Sequence, residues 1–250
     1  MSSQSEDLKS PSNTRGINTD QGFCPQLLHL IQIHDTAFPT GSFGHSFGME
    51  TFIQDGALTT SDELLEFCAM YLRHSLGSLD GIIVKEAYRL AKTRDVAALI
   101  RLEELCQGVK LSSESRAGSA MLGRQFLNAV RPLSDDGLLA IWQEKMRRQE
   151  IAGHYPLVYG IYTAALNTDP VLAVETFLYS SVAALVQNAV RAIPLGPRSG
   201  VKVIFSLLPT IHEVARSIES RDLDSISNES VALEIASIRH AFLGSRLFMS

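Results

Sequence analysis

The stretch from Asp169 to Pro194 constrains the chain more than any other. Asp169-Pro170 is a helix start, an N-cap side chain followed by a proline whose missing N–H is no loss in the first turn. Pro194 forces an exit near Ile193. Between them Val171, Val174, Leu178, Val182, Leu185, Ala189 and Ile193 form one helical stripe, widened by Leu172, Val186 and Val190. No charge stands between Glu175 and Arg191. A helix so apolar around its circumference must be covered by protein, in the middle of a domain or in an oligomer interface. Its longest uncharged run, Thr176 to Val190, is broken by Ser180, Ser181, Gln187 and Asn188. It falls short of the roughly 18 consecutive apolar residues of a membrane span. The expectation is a soluble domain built around this helix, with no membrane contact.

Helical spacing accounts for most of what remains. Gln26–Asp35 places Leu27, Leu30, Ile31 and His34 in register, and Thr60 with Glu63 makes a capping box opening Ser61–Leu76. Further helices are expected at Asp80–Lys92, Asp95–Gln107, Ser113–Val130, Asp136–Gln149, Tyr155–Leu166, Ser199–Ile218 and Ser230–Leu247. No alternating strand pattern and no internal repeat is present. The fold class expected is all-α, a single domain of about ten helices over residues 23–250. Residues 1–22, rich in Ser, Asn and Gly, read as a disordered arm with no secretory pattern.

With 250 residues the chain can bury a core without disulfides or a structural metal. The three cysteines, Cys24, Cys68 and Cys106, are widely spaced and suit a reducing, cytoplasmic setting. A net charge of −5 argues against a nucleic-acid partner. Chemistry finds no foothold: no Asp or Glu has a His three residues later, and HExxH, zinc-spaced Cys/His pairs, GxSxG and Walker or dinucleotide patterns are all missing. Glu150 and His154, four apart, read as a surface contact. No catalytic residue, metal ligand or cofactor is expected.

One segment stands out, Asp35-Thr-Ala-Phe-Pro-Thr-Gly-Ser-Phe-Gly-His-Ser-Phe-Gly-Met-Glu50. Pro39 and Gly41 make a turn, with Thr40 and Ser42 available as caps. Gly44 and Gly48 let another backbone pack closely, and Glu50, read on the face of Ser46, is either solvated or paired.

Leu27–Glu50, LLHLIQIHDTAFPTGSFGHSFGME, closely resembles the opening helix and P-x-G-S/A-x-x-x-S-x-G-x-E motif of the UreF family of urease accessory proteins. Glu114-Ser-Arg116 with Gly123, His154-Tyr-Pro156 with Gly160, and Asn188 through Gly196 agree in order and position. The ending Ser245-Arg-Leu-Phe-Met-Ser250 resembles the Helicobacter-type branch. The resemblance spans roughly residues 23 to 250. Pro197 and the Gly200-Val201 pair depart from the family pattern, leaving contacts of that loop open.

The resemblance implies a homodimeric all-α scaffold without chemistry of its own. It would bind a second scaffold, UreD (UreH in Helicobacter), and recruit the GTPase UreG, to deliver nickel to apo-urease. By that resemblance Ser245, Arg246, Leu247, Phe248 and Met249 form the tail that docks on UreD/UreH, its apolar side chains exposed at a free terminus. Pro39, Gly41, Ser42, His45, Ser46, Gly48, Glu50 and Arg191 are GTPase-facing or dimer-related, and His45 lines a nickel path or simply packs. Two alternatives stay open on sequence: a helical-bundle, haem-oxygenase-like enzyme, or an activator of UreG whose arginine finger would come from Arg116, Arg124, Arg191 or Arg198.

Overall fold

Eleven α-helices and no strand occur among the residues described, 25–249 of the computed structural model. The expected arm at 1–22 lies outside them, as do Cys24 and Ser250. The helices are α1 (Pro25–His34), α2 (Met49–Gln54), α3 (Ser61–Tyr71), α4 (Gly81–Lys92), α5 (Val96–Val109), α6 (Ser113–Val130), α7 (Gly137–Arg147), α8 (Tyr155–Ala165), α9 (Pro170–Ala192), α10 (Pro197–Glu219) and α11 (Val231–His240). Their starts follow local chemistry. Asp169 accepts from Leu172 N at 2.9 Å, and Asp95 and Ser112 cap α5 and α6 in the same way. Thr60 and Glu63 form both bonds of the capping box on α3.

The apolar stripe of α9 is buried as its sequence demands, packed against α10, α4, α8 and α3. By length and composition alone α9 would also pass for a membrane span; here its apolar side chains form the centre of the helical core. Helices α9 and α10 run antiparallel: Glu175 meets His212 at 2.6 Å near one end, and Gly200 faces Val186 and Val190 near the other. Helix α8 crosses α4 so closely that a Cβ on Gly160 would lie 2.6 Å from the Val84 carbonyl oxygen. An aromatic cluster fills the adjoining space, with Tyr159 between Phe126, Tyr155 and Phe177 at ring separations of 5.4–5.9 Å.

Four local expectations are revised. Ser61–Leu76 and Asp80–Lys92 are one continuous helical run, joined through a π-helical stretch at Leu72–Asp80. Asp80 makes no cap bond; its carboxylate turns instead to Lys110 Nζ at 2.7 Å, with both side chains buried. The last helix stops at His240 rather than Leu247, because the tail's polar groups are taken by α2. The helix read through Ser46 and Glu50 with Thr40 or Ser42 as its cap begins only at Met49, after Gly48, and neither side chain caps it. His154 is buried, its Nε2 2.6 Å from Gln107 Oε1, while Glu150 pairs with Lys145 instead.

Three titratable groups, the buried His154 and Glu103 and the half-buried His34, make stability depend on pH. Burial lowers His34 to about 4 and His154 to about 3, from an ordinary 6.5. Burial raises Glu103 from 4.5 to about 7, although the amides of Gly153 and His154 donate to it. The histidines therefore contribute stability above pH 6.5 that is lost as pH falls toward 4 and 3. Glu103 acts oppositely: its contribution is present below 4.5 and lost as pH rises through about 7. Glu103→Gln is thus expected to steepen the loss of stability on acidification, by about 1–3 kcal/mol across that window. Urea unfolding of both proteins at several pH values checks this; parallel curves would refute it.

Candidate functional site

The unusual segment folds as a turn, a one-turn 3₁₀ helix at Ser42–Gly44, and then α2. Asn188, the buried polar residue of α9, donates Nδ2 to the His45 carbonyl at 2.7 Å and so fixes this loop to the central helix. His45 is buried and its ring lies over Phe47, centroids 5.7 Å apart; burial lowers its pKa. Phe47 and Gly48 both have positive φ, 48° and 88°, and this tight turn launches α2. The close approach expected of Gly48 is real: a Cβ there would lie 2.8 Å from the Leu233 carbonyl oxygen and 3.0 Å from Ser237 N on α11.

Glu50 is paired, not solvated: only 4% of it is exposed. One oxygen accepts from Leu247 N at 2.7 Å; the other accepts from Phe248 N at 3.1 Å and faces His240 Nε2 at 2.8 Å. His240, fully buried, turns Nδ1 to Glu114 at 2.9 Å, and Arg246 approaches the other Glu114 oxygen at 3.5 Å. Gln54 Nε2 donates to the Ser245 carbonyl at 2.8 Å, and Met249 N to the Gly44 carbonyl at 2.8 Å. The tail is therefore clasped within the chain, every residue from Ser245 to Met249 held by at least one polar contact.

The clasp sorts the tail residues. Phe248, expected at the surface with its neighbours, is buried, with the Arg191 guanidinium 5.8 Å from its ring centre. Leu247 and Met249 are about half exposed, with the Met249 methyl lying over Gly44. Of the motif residues, Pro39 and Gly41 are exposed and Ser42 half-buried, whereas His45, Ser46, Gly48 and Glu50 are buried and present no face of their own. Arg116, one of the arginines considered above, is tied to the carbonyls of Lys110 and Leu111. Beneath the segment lies a cavity of about 230 Å³ whose lining includes His34, His45, Asp80, Lys110 and Ser119. Among the described residues no cluster of three or more His, Cys, Asp or Glu could hold a metal ion.

Sequence reasoning missed His240 and Gln54. The one available signal was a histidine on the same α11 face as Leu233, Ala236 and Ser237, all buried here.

The UreF family model matches residues 58–208. Urease accessory protein UreF of Sporosarcina pasteurii is 56% identical over 202 residues, covering 81% of this chain and all of that protein. UreF of Bacillus sp. TB-90 is 32% identical over 225 residues, 90% of this chain and 99% of that one. UreF of Geobacillus kaustophilus is 32% identical over 232 residues, 93% of this chain and all of that one.

The fit of α2 against α11 is tested by a pair of glycine substitutions. Gly56, with φ of 73°, has nothing within 4 Å of an added Cβ, so Gly56→Ala should lose only the left-handed backbone cost of about 1 kcal/mol. Gly48→Ala carries a similar backbone cost plus the clash with α11, and is expected to lose about 2–4 kcal/mol. Equal losses in chemical denaturation would mean that the α2–α11 contact yields freely.

Proposed function

The chain belongs to the UreF family of urease accessory proteins, and from that premise we propose that it is a non-catalytic, cytoplasmic scaffold in urease maturation. Its C-terminal tail docks on the scaffold protein UreD/UreH, and the assembly recruits the GTPase UreG to bring nickel to apo-urease. Nickel is cargo in this reading, and His45 serves packing. The observation that carries it is the clasped tail. A chain end held by Glu50, Gln54 and the Gly44 carbonyl, with Leu247 and Met249 about half exposed, is a prepared docking element. The UreD/UreH contact is placed there because the ending Ser245–Ser250 resembles that of the Helicobacter-type branch. Glu50 then acts by positioning the tail, and Arg191 by covering Phe248, so both reach a partner through the tail they hold.

The homodimer is assigned to the α9–α10 face. Val201, Phe205 and Leu208, at i, i+4 and i+7, leave an apolar stripe on α10, and Phe205 is 73% exposed. The antiparallel register sets the exposed Tyr179 of α9 level with Leu208. Val201, which departs from the family loop pattern, belongs to this stripe.

Two measurements by light scattering test the assignment. Removing Ser245–Ser250 is expected to abolish the complex with UreD/UreH while leaving the dimer intact; a complex that survives moves the scaffold contact elsewhere. Phe205→Asp is expected to give monomers, and a variant that stays dimeric at micromolar concentration removes the α10 stripe from the interface.

A further inference from the structure

His240 holds a position that its neutral form cannot satisfy. A neutral imidazole has one N–H donor and one lone pair. Here both ring nitrogens face carboxylate oxygens, Glu50 at 2.8 Å and Glu114 at 2.9 Å. A proton on either carboxyl would also resolve the conflict, but the donors around both favour the anions. Glu50 accepts from the amides of Leu247 and Phe248 in addition to His240, and Gln54 Nε2 stands 3.4 Å from it. Glu114 has the Arg246 guanidinium on its second oxygen. Both carboxylates are therefore ionised, and His240 is an imidazolium donating from both ends.

The groups facing it are Glu50 from α2, Glu114 from α6 and, through Glu114, Arg246 of the tail. The neighbouring Arg239 is engaged by Asp55 at 2.9 Å. With His240 charged, two carboxylates are balanced by His240 and Arg246. When the ring loses its proton, a fully buried lone pair is turned on a carboxylate and the cluster carries an uncompensated negative charge. Such an arrangement is costly for a ring that is fully buried. The part of the cluster outside any helix is the tail, which follows α11, whereas Glu50 and Glu114 are held in α2 and α6.

We propose that His240 is a protonation-gated latch on the C-terminal tail, closed as the imidazolium and open as the neutral ring. Closed, it keeps Glu50 set to receive the Leu247 and Phe248 amides, and Leu247 and Met249 are presented in a fixed arrangement. Open, one of the two carboxylates faces the ring's lone pair and is repelled, Phe248 loses its seat and the presentation is lost. Docking of a scaffold partner then weakens as pH rises. That consequence rests on the reading of the tail as the docking element; the latch itself does not.

The test follows the full-length chain from about pH 5.5 to about pH 8.5, the range in which histidine changes charge. Amide exchange at Leu247, Phe248 and Met249, corrected for intrinsic rates, is expected to speed up about tenfold, the loss of one charge-assisted hydrogen bond. The His240 ring nitrogen NMR signals should titrate with the same midpoint. In His240→Gln, whose single amide nitrogen cannot bridge both carboxylates, the tail amides should exchange fast at every pH. Tail protection that stays constant, a ring that keeps its proton throughout, or an unchanged pH step in His240→Gln would overturn the latch. Should that variant not fold, the wild-type ring and amide midpoints decide alone. Binding of UreD/UreH over the same range separates the two ideas. If no complex forms at any pH while ring and amides titrate together, the docking reading fails and the latch stands. If ring and amides do not titrate together, the latch fails whatever the partner does.

Discussion

Helix α9 can exist in water only if other helices cover it, and the arrangement of the chain follows from that. With no charge between Glu175 and Arg191, most of its surface has no favourable contact with solvent. Helices α10, α4, α8 and α3 provide the cover. The buried polar residue near its end, Asn188, has to find a hydrogen bond within the protein, and it donates to the His45 carbonyl. The loop that carries the most distinctive motif in the sequence is thereby seated on the most constrained helix. From that seat the chain turns through Phe47 and Gly48 into α2, and α2 aims Glu50 at the tail. Hydrophobic coverage at the centre thus determines where a carboxylate stands at the edge.

Charge burial is organised differently in three places. Asp80 and Lys110 form a simple pair at the wall of the cavity, where each is the other's compensation. Glu103 faces the backbone amides of Gly153 and His154 and, among the described residues, no cation, which leaves desolvation dominant and its carboxyl easy to protonate. Glu50, His240 and Glu114 form one hydrogen-bonded row that ends on the tail amides. A buried pair of this kind adds little net stability, but losing one member is expensive. It defines an arrangement more than it strengthens one, and here the arrangement includes the end of the chain.

What was legible in the sequence was local. Capping at Thr60 and Asp169, the bounds of Ser113–Val130 and the burial of the α9 stripe depend on residues a few positions apart, and each is found as read. The close approach at Gly48 was legible too, because glycine in such a place has few other uses. The π-helical join at Leu72–Asp80 was not, since Asp80 resembles an N-cap until Lys110, thirty residues away, draws its side chain off. Nor was the clasp. Glu50 and His240 are separated by 190 positions, and no periodicity links them. The motif marked Glu50 as unusual, and the family likeness marked the tail; that each is the other's partner is a tertiary fact.

The end of α11 is a contest between two ways of satisfying the same backbone groups. Continued as a helix, as its spacing suggests, the chain would pair the Leu247 and Phe248 amides with carbonyls one turn back. That helix would run through Gly244, which costs about 1 kcal/mol in a helix interior. In the clasp the same amides meet an ionised carboxylate, a bond about twice as strong as a neutral one, and Phe248 is buried, worth about 2 kcal/mol. Several kcal/mol therefore favour leaving the helix at His240, provided Glu50 is ionised and correctly aimed. The balance is conditional on His240 and Glu114 as well, since they set that carboxylate's orientation. A tail built this way is ordered by a charge arrangement, whereas the core is ordered by close packing.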